Sequence, residues 1–233
     1  MYFDPLYFLL MAPALALSIY ASILTKKRFA DYARVPTARG LRGADVARFL
    51  LDQAGLHTVR VEQHEGFLSD HYDPRDRVVR LSPDVFQGRS ISSVSVAAHE
   101  TGHALQHAQA YWPLQFRSKI VPLASFGSSF AYVIIFVGML VHVMSLAYFG
   151  VILFVVVVAC QLITLPVEFD ASARAKRVLF ERGVVTPNER PGVSKVLSAA
   201  ALTYVAAAAS ALLTLLYFLL RTGLLGGRSR DER

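Results

Sequence analysis

The chain has 233 residues, enough for one or two domains, but 54% of them are hydrophobic and only 18% are charged, which excludes an ordinary soluble globule. The net charge of +7 does not indicate nucleic-acid binding, because the cations are spread over several segments without a recognisable binding module. The single cysteine, Cys160, excludes an intrachain disulfide framework and a cysteine-based zinc site, so the composition indicates a membrane protein.

The first predicted element is an uncharged run at residues 5–25 that is long enough to cross a bilayer as a helix. No Lys or Arg precedes this run, whereas the basic cluster 26–28 follows it. This arrangement favours an uncleaved anchor with its N-terminus outside over a cleaved secretory signal. Residues 1–25 are therefore predicted to form transmembrane helix 1.

Residues 26–119 form a soluble segment with mixed polar and apolar patterning, where we expect the chemistry. An amphipathic helix is predicted at 44–54. Two alternating stretches, 57–62 and 77–81, are separated by the turn signal 73–76 and predict a small sheet. We expect the second of these strands to offer an edge on which an extended peptide can pair.

Two capped helices complete this segment. Ser82 is expected to cap a short helix, and Ser90 a longer one that runs from Ile91 to about Ala110. The aromatic stretch 111–113 is expected at the membrane interface, where Pro113 discourages continuation of the helix.

The longer helix contains the stretch AAHETGHALQH, which concentrates three histidines and a glutamate in nine residues. His99 and His103 are four residues apart and can present two imidazoles to one cation, with Glu100 beside them. This H-E-x-x-H spacing suits zinc, which needs two neutral nitrogens, a third protein ligand and a carboxylate that takes a proton from water. His107 lies another turn along, too far from His99 to share the ion, and is expected to support the ligands or simply to lie on the polar surface.

The next predicted element is a transmembrane hairpin at residues 120–167. As a helix, this uncharged run would measure roughly 72 Å, which allows two crossings of the hydrocarbon core. We predict the turn between the two helices within 142–150, where polar and small residues interrupt the apolar pattern.

A carboxylate immediately after the hairpin is the candidate for the third zinc ligand. A hairpin returns the chain to the side that it left, so Glu168 is expected on the same face as the two histidines. A carboxylate next to an apolar run is costly without a partner, which favours Glu168 as a ligand. The alternative is that Glu168 and Asp170 only mark the interface and pair with Arg174 or Lys176.

Residues 168–195 are predicted to form a second soluble segment, residues 196–221 transmembrane helix 4, and residues 222–233 a basic tail. The segments 25–119 and 168–196 hold 14 and 6 Lys or Arg residues, and the hairpin turn holds none. Both soluble segments are therefore expected to face the cytoplasm. The tail, with the basic residues Arg221, Arg228, Arg230 and Arg233, disagrees with this orientation because four crossings place it outside.

Four separated blocks together resemble the YugP-type membrane neutral zinc metallopeptidases over nearly the whole chain. In chain order these blocks are LSDHYDPRDRVVRLSPDVF, VAAHETGHALQHAQAYWPLQFRSKIVPLASFGS, LITLPVEFDASARA and VLSAAALTYVAAAASALLTLLYFLL. The resemblance implies an integral-membrane zinc peptidase in which His99, His103 and Glu168 bind the metal and Glu100 is the catalytic acid and base.

More distantly, the pattern is similar to the HtpX-type and thermolysin-like gluzincins, which have an Asp four residues after the ligand Glu. That Asp orients a zinc histidine, and this chain has Ser172 in its place. Either Ser172 or Asp170 is therefore expected to hold a zinc histidine. By chemistry alone, the candidates for substrate binding or oxyanion stabilisation are His71, Tyr72 and Arg174.

The sequence therefore predicts a mainly α integral-membrane fold with four transmembrane helices and a small α+β zincin-like cytoplasmic insert that carries the H-E-x-x-H helix. The predicted activity is hydrolysis of peptides or membrane-protein segments near the surface of a bacterial cytoplasmic membrane, with one zinc ion per chain. The alternative is a non-catalytic membrane scaffold with a structural zinc site. The expected partners are the substrate and the lipid bilayer, with no nucleic acid.

Overall fold

A computed structural model describes residues 4–225 of the chain, and helices dominate it. This architecture confirms the predicted mainly helical fold with a small sheet. In chain order, the elements are α1 (Pro5–Ala33), α2 (Gly43–Gln53), β1 (Arg60–Gln63), β2 (His71–Asp73), β3 (Val78–Leu81), α3 (Pro83–Phe86), α4 (Ile91–Ala108), α5 (Trp112–Leu140), α6 (Met144–Glu181) and α7 (Arg190–Arg221).

Four of these helices, α1, α5, α6 and α7, are long and apolar enough to cross a membrane. Large apolar side chains on them face outward, among them Leu9, Phe126, Phe136 and Ile152. Outward-facing apolar side chains suit lipid rather than water as the surrounding medium. The predicted number of four candidate membrane-spanning helices is therefore confirmed. Most of the predicted basic tail, from residue 226 onward, lies outside the described residues.

The long helices extend beyond the predicted segment boundaries. Helix α5 begins at Trp112 rather than near residue 120, because Pro113 lies in its first turn, where a missing backbone N–H costs nothing. Helix α6 continues through Pro166 to Glu181 rather than ending at residue 167. A single proline removes one hydrogen bond from the helix, and neighbouring helices in a bundle make that loss tolerable.

The turn of the apolar hairpin is shorter than predicted and lies at residues 141–143, where His142 adopts a φ of +57°. The predicted turn extended to Gly150, but that residue lies inside α6. A Cβ at Gly150 would come within 2.6 Å of Ile135 Cγ1, so its lack of a side chain lets α5 and α6 approach closely. Small residues in this stretch therefore serve helix packing, which the sequence pattern cannot distinguish from a turn signal.

The described chain divides into two compact units. The first takes in the chain up to Tyr20, Phe116–Leu165 and the chain from Tyr204 onward. Its apolar core contains Ile135, Phe154 and Phe218. The hydroxyl of Tyr217 donates a 2.9 Å hydrogen bond to Asp4 Oδ2, and this bond links α7 to the start of α1.

The second unit, Ala21–Gln115 with Pro166–Thr203, contains a three-stranded sheet in the order β1-β3-β2. Strand β3 pairs in parallel with β1 and antiparallel with β2. The prediction that residues 78–81 offer a free edge was therefore wrong, because β3 is the central strand and both of its edges are paired. Its buried residues, Val78, Val79 and Leu81, explain this position, since a strand covered on both faces carries an almost continuous apolar run.

Helix α4 lies at the centre of the second unit and contributes to two apolar clusters. Val94 and Ala98 pack with Ala175 and Leu179 of α6, while Ala97 and Ala104 belong to the cluster that contains the sheet. The helix starts as predicted, because Ser90 Oγ accepts a 3.2 Å hydrogen bond from the Ser93 N–H. One helix thus positions its side chains against both the sheet and α6.

Candidate metal centre

The two motif histidines lie on adjacent turns of α4, with ring centroids 4.8 Å apart and ring planes at 83°. Residues four apart in a helix lie one above the other, so the spacing in the sequence fixes this pairing. Glu168 approaches the pair from α6: its Oε2 atom is 3.2 Å from His99 Nε2 and 3.5 Å from His103 Nε2. Helices α4 and α6 therefore bring together the three side chains that the sequence proposes as metal ligands.

The geometry of these three side chains fits a zinc ion. One ligand atom from each lies within 4.8 Å of the others. Two atoms bound at about 2.1 Å in a tetrahedral arrangement are about 3.4 Å apart, close to the two distances from Glu168. The donor set of two imidazoles and one carboxylate is one that zinc prefers in catalytic sites.

Hydrogen bonds at the Nδ1 atom of each histidine ring support an orientation in which Nε2 faces Glu168. Ser172 Oγ lies 3.2 Å from His99 Nδ1, and Gln106 Oε1 lies 3.0 Å from His103 Nδ1. With each Nδ1 atom engaged by an oxygen, both Nε2 atoms are turned toward Glu168. This arrangement, with one nitrogen for the metal and the other held by a hydrogen bond, is typical of zinc-binding histidines.

The site is buried and carries a negative charge that needs a cation. Glu168 is 2% exposed, and a buried carboxylate is costly unless a cation balances it. Burial alone would lower the pKa of His103, but the hydrogen bond with Glu168 and the charges of Glu100 and Glu168 raise that pKa overall. His103 therefore lies in an electrostatic field that attracts either a proton or a metal cation.

Glu100 lies on α4 between the two histidines in the sequence and is 8% exposed. Its carboxylate makes no hydrogen bond or ion pair with any residue in the described part of the chain. The carboxylate is therefore available to a water molecule. The charge of Glu100 also acts on a half-buried carboxyl group, Asp70, whose pKa it raises.

Asp70 was not singled out from the sequence, although it lies in the block LSDHYDPRDRVVRLSPDVF. It accepts a 2.7 Å hydrogen bond from the Ser82 N–H, and the Ser82 hydroxyl donates to the same carboxylate at 3.1 Å. Burial first, and the charge of Glu100 to a smaller extent, raise the pKa of Asp70 to about 6 against the lowering effect of the Ser82 bonds.

Three of the residues predicted to support the site, His71, Tyr72 and His107, have hydrogen-bond partners other than the three candidate ligands. The Tyr72 hydroxyl on β2 lies 2.8 Å from His107 Nδ1 on α4, and both side chains line a cavity of about 300 Å³ together with Arg77. His71 Nδ1 lies 2.8 Å from the Ser69 carbonyl oxygen. Within residues 4–225, His107 is hydrogen-bonded to Tyr72, and the group of candidate metal ligands consists of His99, His103 and Glu168 without it.

Arg174 is engaged by a set of neighbours outside the three-residue group. Its guanidinium donates to Asp170 Oδ2 and to Gln109 Oε1, and it lies over the Tyr111 ring at 5.7 Å from the centroid. The pairing of Asp170 with Arg174 agrees with the second of the two sequence interpretations for that carboxylate. Glu168, in contrast, is placed with the histidines.

Gln106 is the contacting residue that sequence reasoning missed. Its amide reaches His103 on the same helix and both Val167 and Asp170 on α6. The available signal was its position three residues after His103, on the same side of the helix. A glutamine at such a position is common on helix surfaces, so the spacing alone does not distinguish it.

Comparisons with known proteins agree with this geometry. Residues 7–223 match a family described as "Putative neutral zinc metallopeptidase". The chain is also 50% identical over 215 residues to "Putative membrane protease YugP" of Bacillus subtilis (strain 168), which covers 92% of this chain and 96% of that protein. No solved structure matches the chain.

Proposed function

The chain belongs to this family of neutral zinc metallopeptidases, and from that premise we propose that it is a membrane-embedded, zinc-dependent endopeptidase. The observation that carries the proposal is the convergence of ligand atoms of His99, His103 and Glu168 within 4.8 Å, with the buried Glu100 next to His99 on the same helix. In this proposal the three converging side chains hold zinc, and Glu100 is the catalytic residue.

When bound there, zinc supplies a Lewis acid that polarises the substrate carbonyl and lowers the pKa of a bound water toward about 7. Glu100 accepts a proton from the attacking water and passes it to the nitrogen of the leaving amine. Within residues 4–225 the Glu100 carboxylate has no hydrogen bond or ion pair, which supports this role. A carboxylate that forms an ion pair would be a weaker base. Burial of the site limits the access of bulk water and strengthens its electrostatic interactions.

Other side chains of the second unit support these steps. The Ser172 hydroxyl contacts His99 Nδ1, and the buried amide of Gln106 contacts His103 Nδ1. We retain His71 and Tyr72 as candidates for substrate binding or oxyanion stabilisation, whereas the contacts of Arg174 with Asp170, Gln109 and Tyr111 favour a structural role for that guanidinium.

The location of the site supports cleavage close to the bilayer. Glu168 is the first charged residue after the apolar run of α6, so the proposed zinc ligand lies where the apolar part of a candidate membrane-spanning helix ends. The excess of Lys and Arg in the soluble segments favours the cytoplasmic face. The proposed substrates are peptides or membrane-protein segments that come within reach of that face.

The test is the variant Glu100→Gln in the full-length, detergent-solubilised protein. It should bind zinc as the unmodified protein does while cleavage of fluorescein-labelled casein falls by at least a hundredfold, because an amide cannot accept the proton. Glu65→Gln is the matched control, since it makes the same change at an exposed position and should leave cleavage intact. Undiminished casein cleavage by Glu100→Gln would rule out this mechanism.

The same experiment separates the proposal from a non-catalytic zinc scaffold. A structural site has four protein ligands and no use for a base, whereas three candidate ligands converge here. A scaffold would show no hydroxamate-sensitive cleavage in the unmodified protein and no effect of Glu100→Gln on any activity.

A further inference from the structure

Gln106 is a fully buried side chain that connects the two helices of the candidate metal centre. Its Oε1 atom lies 3.0 Å from His103 Nδ1. Its Nε2 atom lies 2.8 Å from the Val167 carbonyl oxygen and 2.8 Å from Asp170 Oδ2. One amide group therefore contacts a proposed ligand on α4 and two residues of α6. Of these two, Val167 immediately precedes Glu168 and Asp170 follows it by two positions.

The partners on α6 determine which way the amide faces. A glutamine amide offers one acceptor oxygen and an NH₂ group with two donor hydrogens. A backbone carbonyl and a carboxylate can only accept, so both Val167 and Asp170 require the NH₂ group. A flipped amide would place its oxygen against two other acceptors and leave buried polar groups unpaired, which is costly. The oxygen is therefore directed to His103.

This orientation in turn determines the tautomer of His103. Because Gln106 Oε1 can only accept, the proton of a neutral His103 ring must be on Nδ1. The lone pair is then on Nε2, the atom that lies 3.5 Å from Glu168 Oε2. The order of donors and acceptors runs from Asp170 and Val167 through Gln106 to His103 without an ambiguous member.

We propose that Gln106 is the positioning residue for His103, because it holds the imidazole in the Nδ1–H tautomer and directs Nε2 to the metal. The inference rests on the proposed function only in taking zinc as the cation. His99 differs, since its partner Ser172 offers a hydroxyl that can either donate or accept and so does not fix the tautomer. Gln106 should therefore contribute more to zinc affinity than Ser172.

The same amide also fixes the approach of α6 to α4. Val167 immediately precedes Glu168, so a bond to its carbonyl oxygen restrains the backbone next to the third ligand. Asp170 is itself held by Arg174, which keeps its carboxylate in place for the amide. Through these contacts Gln106 acts on two of the three proposed ligands.

The first experiment measures zinc affinity in the full-length, detergent-solubilised protein by competition with a chromophoric chelator. Gln106→Met keeps the approximate shape of the side chain and removes its hydrogen bonds, so zinc affinity should fall 10- to 100-fold. Gln53→Met makes the same change at an exposed position of α2 and should have no effect. Ser172→Ala should give a smaller loss than Gln106→Met. A folded Gln106→Met protein with unchanged zinc affinity overturns the proposal.

A second measurement needs no variant and therefore does not depend on the folding of Gln106→Met. Nitrogen-15 labelling of histidine in the zinc-loaded protein shows by NMR which ring nitrogen carries the proton, and the His103 signal can be assigned by its proximity to the Gln106 amide. The proposal expects a proton on Nδ1 and coordination by Nε2. Coordination of zinc through His103 Nδ1 overturns it.

Neither measurement uses peptide cleavage, so the two proposals can fail separately. A protein that shows both expected results but does not cleave peptides would contradict the endopeptidase function and still support the role of Gln106.

Discussion

Glu168 is the residue that adds a third candidate ligand to the helical pair of histidines. We predict that Glu168→Ala lowers the zinc content of the purified protein well below that of the unmodified chain, because two imidazoles alone bind the metal weakly. Glu181→Ala removes the same group from the exposed end of α6 and is the matched control. The measurement is elemental analysis after dialysis, and full zinc occupancy in Glu168→Ala would remove Glu168 from the ligand set.

Asp70 provides a pH-dependent prediction for the zinc-free protein. Its pKa is raised from 3.8 to about 6, and burial is the largest cause. Ionisation is therefore less favourable in the folded chain than in the unfolded chain. Between about pH 4 and pH 6 the unfolded chain binds fewer protons, and stability therefore falls as the pH rises, by up to about 3 kcal/mol. Asp70→Asn lacks this loss and can still accept hydrogen bonds from Ser82.

The stability gained by Asp70→Asn should accordingly increase from pH 4.5 to pH 7 and remain constant above that. Thermal unfolding of the chelator-treated protein at several pH values measures the gain. Asp84→Asn, at an exposed position, should show no such increase. A gain in Tm that is the same at pH 4.5 and pH 7 would contradict the assignment of this effect to Asp70.

Individual residues differed in how far the sequence could identify them. The spacing of His99 and His103 is a property of one helix, so the sequence predicts their proximity directly. The candidacy of Glu168 needed the additional argument that a hairpin returns the chain to its starting side. Gln106 and Asp70 could not be identified, because the contacts of Gln106 with α6 and of Asp70 with Ser82 depend on the tertiary fold. Neither residue type is unusual at its position.

At the scale of elements, the site depends on a close approach of α4 to α6 at Gly102. A Cβ at Gly102 would lie 2.7 Å from the Ala171 carbonyl oxygen, and backbone atoms cannot move aside as a flexible side chain can. Gly102→Ala should therefore separate the two helices, lower the free energy of unfolding by about 1–3 kcal/mol, and weaken zinc binding. Thermal unfolding and chelator competition measure the two effects.

Gly127→Ala is the control for the general effect of alanine in a helix. A Cβ there would lie 3.5 Å from the Leu153 carbonyl oxygen, which is an ordinary contact. Because alanine has a better helix propensity than glycine, the stability of Gly127→Ala should be unchanged or slightly raised. If Gly102→Ala behaves like Gly127→Ala, the close approach at Ala171 does not set the geometry of the site.

The elements themselves were predictable where local patterns decide them. Capping by Ser90, the apolar runs and the alternating strands all depend on neighbouring residues. The order of strands in the sheet depends on long-range pairing, which explains why residues 78–81 are central and not at an edge. The passage of α6 through Pro166 is likewise decided by tertiary contacts, since the local signal of a proline favours a helix end.

At the scale of the whole molecule, the charge distribution predicts how the chain lies across the membrane. We expect Arg75→Cys, in the turn between β2 and β3, to react with a membrane-impermeant thiol reagent only after the cells are permeabilised. His142→Cys, in the exposed turn between α5 and α6, should react in intact cells. Both variants are made in a Cys160→Ala background, and the reverse pattern of labelling would place the metal site outside.

The proposed ligands on α4 and α6 are separated by a long stretch of chain that includes a complete apolar hairpin. His103 and Glu168 are 65 positions apart, counted from their numbers, and helix α5 and most of the apolar part of α6 lie between them. The ribosome must therefore synthesise the whole hairpin before Glu168 can approach the two histidines. A polypeptide that stops short of this point lacks the proposed third ligand, so we expect hydrolytic activity only after the whole hairpin has been synthesised.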